Sequence, residues 1–208
     1  MPARKPSDDD MTILCRLARA YRLTIASLES EVLGVSETAT KRRLERLVEA
    51  GFLKTHYATV RVLSPALPPV LVWSVGDATP DFGSLSYSLC TRWESLVPRF
   101  EHTYSISQKS LALLALPKRK AYLTGQASHD LGVFRMWQWA AKSFPQFEFV
   151  GEDVFSPDRV TGEVIEDAQL QSNGRKVAVM EFGGAYRIER VCEIHESIAA
   201  TQTPYILY

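Results

Sequence analysis

Three runs of apolar residues at helical spacing, broken by Gly34 and closed by Gly51, crowd into residues 11–53, and this stretch limits the fold more than any other. Apolar residues three and four positions apart share one face of a helix. Ile13, Leu14, Leu17, Ala18 and Tyr21 make the first such face, and Asp8, Asp9 and Asp10 sit where N-caps and dipole-favoured acids belong. Thr24 is placed to cap a second, shorter helix through Ile25, Leu28 and Val32, which Gly34 ends with a left-handed turn. Ser36 caps the third helix, in a Ser-x-x-Ala arrangement with Ala39. That helix runs through Leu44, Leu47 and Val48 to Gly51. Thr38, Lys41, Arg42, Glu45 and Arg46 lie off its apolar stripe.

After Gly51, the alternation of Tyr57, Val60, Val62 and Leu63 predicts a strand. Pro65, Pro68 and Pro69 then break the chain before Val70-Leu71-Val72-Trp73. Two strands around a proline-rich turn predict a β-hairpin. The segment LTIASLESEVLGVSETATKRRLERLVEAGFL with this hairpin resembles a winged helix-turn-helix module, whose third helix reads a DNA groove. The resemblance implies double-stranded DNA as partner, with Ser36, Thr38, Thr40, Lys41, Arg42 and Arg43 nearest the groove. Lys54 and Arg61 would touch phosphate from the wing.

Composition sets the remaining bounds. With 46% hydrophobic and 23% charged residues in 208, the chain can bury a core, and disorder or a fibrous repeat is excluded. No window approaches 18 uninterrupted apolar residues, and the start MPARKPSDDD lacks an apolar leader segment, so the sequence reads as cytoplasmic with no membrane partner. Cys15, Cys90 and Cys192 form no C-x-x-C pair and read as small core residues. Net charge is zero, yet residues 1–75 carry 11 Lys+Arg against 8 Asp+Glu, while residues 151–208 carry 5 against 10. A basic front suits a polyanion, and an acidic back either avoids it or collects acids for a site.

Gly76 to Gly83 gathers turn formers and predicts a boundary, giving domains at 1–76 and 77–208. Beyond it Leu85, Leu89, Trp93 and Leu96 predict a helix ended by Pro98. Pro117-Lys118-Arg119-Lys120 reads as a solvated basic turn or a second DNA contact. Ser128 opens an amphipathic helix through Leu131, Phe134 and Trp137. Its His129-Asp130 pair, lacking a nucleophile at a recognisable elbow, reads as structural.

From Phe147 the chain alternates in a β manner and brings Glu152, Asp153, Asp158 and Glu163 near one another. Ser172-Asn173-Gly174 is a turn, Lys176–Phe182 a strand, 186–200 a helix and 204–208 a last strand, which predicts a parallel pairing with a crossover. Pro157-Asp158, with Glu181 23 residues on at a strand end, resembles the PD-(D/E)xK arrangement of restriction-endonuclease-like folds. There two carboxylates hold a Mg²⁺-type cation and a lysine steadies the developing charge. Here Gly183 stands at the lysine position, and Lys176 and Arg187 are the nearest cations.

The order of the first module, RKAYLTGQASHDLGVFRMWQWAAK, SPDRV and VAVMEFGGAYRIERVCEIHESIAATQTPYILY resembles the replication-relaxation family of plasmids and mobile elements, similar to relaxase or mobilisation accessory proteins. The expectation is an α+β protein: an N-terminal winged helix-turn-helix, then an α/β restriction-endonuclease-like domain. It would bind DNA in plasmid replication, conjugative transfer or their regulation, as a homodimer, with a relaxase or replication protein as partner and no cofactor. The alternatives are a Mg²⁺- or Mn²⁺-dependent endonuclease with Asp158 and Glu181 as catalytic and metal residues and Glu152 as third ligand, or a protein-interaction adaptor.

Overall fold

A computed structural model describes residues 5–119, 124–155 and 166–208. In chain order its elements begin α1 (Asp8–Arg19), β1 (Leu23–Thr24), α2 (Ala26–Leu33), α3 (Glu37–Glu49), β2 (Leu53–Val60) and β3 (Leu71–Trp73). Next come α4 (Phe82–Glu94), β4 (Arg99–Ile106), α5 (Gln108–Leu113), a 3₁₀ turn and α6 (Ala127–Ser143). The last are β5 (Glu148–Gly151), α7 (Glu152–Phe155), β6 (Ala168–Ser172), β7 (Arg175–Glu181), α8 (Ile188–Ala199) and β8 (Tyr205–Leu207). This is a mixed α+β chain. Among the described residues no helix is long and apolar enough to cross a membrane.

The chain divides into two compact units. One holds residues up to Val60 together with Arg99–Phe134, and the other holds Arg61–Pro98 with Arg135–Tyr208. The boundaries thus fall at 60/61, 98/99 and 134/135, where composition alone puts one at 76/77. Sheet pairing is the reason: β2 bonds along its whole length to β4, so residues 99–106 belong with residues 53–60.

In the first unit, Ser7 caps α1 and exchanges hydrogen bonds with Asp10, a reciprocal capping box. Thr24 does not cap α2. It lies in β1, and Ile25 precedes the helix without a side-chain cap. Ser36 caps α3 by accepting from the Ala39 N–H at 3.3 Å, and Gly34, at φ 67°, takes the left-handed turn before it. The helices back a three-stranded antiparallel sheet of order β1-β4-β2. Ile13, Leu14, Leu17, Leu23, Leu28, Leu44 and Leu47 are buried. Glu29 is fully buried too, and it accepts a 2.8 Å bond from the Tyr21 hydroxyl with Arg16 3.6 Å away.

The hairpin expected between residues 53–63 and 70–73 does not form. β2 pairs with β4, and β3 joins the other sheet by pairing antiparallel with β8. A ladder is set by which partner satisfies the backbone, and that partner lies beyond an excursion holding β3 and α4.

The second unit has a five-stranded sheet of order β3-β8-β7-β6-β5. Strands β5, β6 and β7 run as an antiparallel meander, and β8 lies parallel to β7 after the α8 crossover. Asn173 and Gly174, at φ 50° and 74°, turn the chain between β6 and β7. Trp73, Leu89, Val179, Val191, Ile194, Ile198, Tyr205 and Leu207 form one core cluster. His195 sits inside it, its Nδ1 2.9 Å from the Tyr205 hydroxyl.

Candidate nucleic-acid interface and a carboxylate pair

The residues proposed to meet DNA separate into two groups once α3 is folded. Thr40, Leu44 and Leu47 are the buried stripe of the helix, at steps of four and three. Thr40 is therefore withdrawn from any groove: it is fully buried and its hydroxyl donates to Ser36 O at 3.1 Å. Arg43 is drawn toward α1, where its guanidinium meets Asp9 at 2.8 Å and Asp10 at 3.7 Å. Arg61, in the second unit, donates to Trp93 O at 3.1 Å and Leu96 O at 2.7 Å, satisfying carbonyls at the end of α4. It holds a helix end and is not on a wing.

Ser36, Thr38, Lys41, Arg42 and Arg46 are exposed, as are the acids Glu45 and Glu49 on the same helix. The described residues hold no carboxylate in an ion pair with Lys41, Arg42 or Arg46. Lys54 is exposed on β2, and its charge, after burial, lowers the affinity of nearby His56 for a proton. Arg119, from the basic turn, donates to the Leu17 and Ala18 carbonyls near the end of α1. This unit also carries an exposed aromatic cluster that spacing could not find, Tyr57 on β2 with Phe100 and His102 on β4. Tyr57 lies more than forty positions from Phe100 and His102 in the chain and meets them only through the ladder.

Asp158 lies outside the described residues. Glu181, 1% exposed, ends β7 beside a different acid, Asp167, which immediately precedes β6. The two carboxylates cross-brace the strand ends. Glu181 Oε1 accepts from the Asp167 N–H at 3.3 Å, and Asp167 Oδ2 accepts from the Phe182 N–H at 2.8 Å. Asp167 also ties its carbonyl to the Glu152 N–H at 3.0 Å. Burial, then the charges of Asp167 and Glu181, push the Tyr186 phenol well above its ordinary pKa. The sequence reading missed Asp167; its signal was an acid heading a strand opposite Glu181.

The lysine position of the nuclease-like pattern is closed by packing. A Cβ built on Gly183 would run into the Leu89 side chain, meeting Cδ1 at 2.9 Å, and Leu89 is fully buried. Lys176 is held by Glu166 at 2.6 Å, and Arg187 is exposed at the start of α8. Among the described residues no group of three or more His, Cys, Asp or Glu side chains is arranged to hold a metal ion.

Comparisons with protein-family models, with curated proteins and with solved structures find no match to this chain.

Proposed function

We propose that this protein binds double-stranded DNA through α3, with the β2–β4 ladder beside it as the wing of a winged helix-turn-helix. One observation carries the reading: Lys41, Arg42 and Arg46 stand exposed on α3 with no carboxylate partner among the described residues, while Thr40 and Arg43 are spent on the fold. Unpaired surface cations gain from displacing counterions on a polyanion, and a helix N-terminus with Ser36 and Thr38 adds donors for phosphate. Glu45 and Glu49 restrict the approaches at which a phosphate backbone is tolerated, because like charge costs affinity out of register.

The second unit supports a reading as an α/β domain similar to a degenerate PD-(D/E)xK nuclease that orients a partner or the complex. Its helix, three-strand meander, helix and parallel strand are compatible with that resemblance, and Glu181 at a strand end keeps the acid. Gly183 packed on Leu89 leaves no place for the charge that steadies a phosphoryl transition state, so the reading favours binding without cleavage. The segment order, which resembles that of the replication-relaxation family, supports a reading of this binding as part of plasmid replication, conjugative transfer or their regulation. Retardation of duplex DNA tests the reading. Lys41→Ala with Arg42→Ala is expected to weaken binding on the order of tenfold, whereas Arg43→Ala leaves it unchanged. Equal binding by native protein and the double variant would sink it.

A further inference from the structure

The exposed aromatic cluster of the first unit is not used by the α3 contact. Tyr57 and Phe100 are 54% and 68% exposed, and their rings stack at 5.6 Å with 19° between planes. The His102 ring meets Tyr57 edge-on at 4.2 Å. In the ladder Tyr57 lies opposite His102, Thr59 opposite Phe100 and Thr55 opposite Tyr104, so these six residues share one sheet face.

Farther along that face the sheet meets α3. Tyr104 is 1% exposed, its hydroxyl has no hydrogen-bond partner among the described residues, and burial, then the neighbouring Glu45 carboxylate on α3, raises its pKa. Glu45 neighbours Arg46 in sequence and lies one helical turn from Lys41 and Arg42. The aromatic cluster therefore shares its sheet face with Tyr104, and through Glu45 that face lies near the helix that exposes Lys41, Arg42 and Arg46. The other exposed residues of the sheet face are threonines, Thr55 and Thr59, whose hydroxyls can meet a sugar-phosphate backbone. Flat ring faces flanked by hydroxyls, on the same unit as the exposed cations of α3, suit a nucleic acid with its bases unstacked from a partner strand, since every base offers a π-face.

We infer that Tyr57, Phe100 and His102 form a stacking platform for unpaired bases, so that the preferred ligand is a duplex that opens into single-stranded DNA beside α3. This rests on the reading of α3 as the duplex-binding helix. Phe100 and Tyr57 supply the stacking faces, and His102 buttresses the Tyr57 ring from its side.

The test compares a blunt duplex with the same duplex carrying a single-stranded extension of about eight nucleotides, using the full chain and fluorescence anisotropy. For the native protein the extension is expected to tighten binding about tenfold, the worth of one stacked base. The double variant Tyr57→Ala with Phe100→Ala should lose that gain, so that it binds the blunt and the extended duplex equally. Tyr57→Phe should keep it. A 2-aminopurine in the extension should be quenched on binding native protein and not the double variant. Should the double variant unfold, the single alanine variants carry the same comparison. Blunt-duplex binding with no gain from the extension overturns the platform and leaves the α3 reading standing, whereas failure to bind either DNA removes both. Equal weakening on both DNAs, or a native dimer that the double variant splits with DNA affinity unchanged, also overturns it.

Discussion

The outer face of α3 and the strand end at Glu181 are both charged, but the fold treats them in opposite ways. On α3 the chain spends Arg43 on Asp9 and buries Thr40, leaving Lys41, Arg42 and Arg46 to solvent. At the β7 terminus the carboxylates of Glu181 and Asp167 accept backbone N–H groups, and glycine under Leu89 excludes a cation's side chain. Charges left without partners at a surface retain their capacity for a ligand. Charges buried and bonded to the backbone have already exchanged water for the protein.

Placing a lysine at Gly183 is the severest challenge to the closed strand end. Gly183→Lys forces a side chain against Leu89, and chemical denaturation should show a loss of about 3 kcal/mol, without Mg²⁺-dependent cleavage of plasmid DNA. A stable, cleaving variant would make the strand end a nuclease site. Next in size, Glu181→Ala removes the acceptor of the Asp167 N–H and should cost about 2 kcal/mol of stability while leaving DNA retardation unchanged.

Between these sites, the helical stripes and the turns were legible in the sequence because each depends on residues within a few positions. Ser36 with Ala39, the left-handed Gly34, the Asn173-Gly174 turn and the parallel β7–β8 pairing around α8 stand as the residues predict. The partner of β2 was not legible. Arg99–Ile106 reads RFEHTYSI, too polar to announce a strand, and it becomes one because β2 needs a ladder after an excursion whose ends meet. The fate of Arg43 and Arg61 was hidden for a related reason. A cation looks alike in sequence whether its guanidinium meets solvent, as at Arg42, or caps a distant helix end, as Arg61 does at Trp93 and Leu96.

A smaller effect sharpens the contrast between buried and free charge inside the first unit. Burial raises the Glu29 carboxyl above its ordinary value of 4.5, against the pull of the Tyr21 hydroxyl and Arg16. The folded protein thus holds this proton more tightly than the unfolded chain. The contribution of Glu29 to stability is full below 4.5 and declines as pH rises through the raised value. Tyr21→Phe should cost about 1.5 kcal/mol and steepen that decline in denaturation series across pH, whereas Glu29→Gln should flatten it. Smallest of all, Arg43→Ala loses a partly exposed ion pair worth about 0.5 kcal/mol, read as a slight fall in melting temperature.

The salt dependence of duplex affinity bears most directly on the whole account. For native protein the logarithm of the binding constant should fall linearly with the logarithm of salt concentration, and Lys41→Ala with Arg42→Ala should make that slope shallower by roughly two units. A slope identical in the two proteins would mean that α3 touches no phosphate, and the helix would have to be assigned to some other partner.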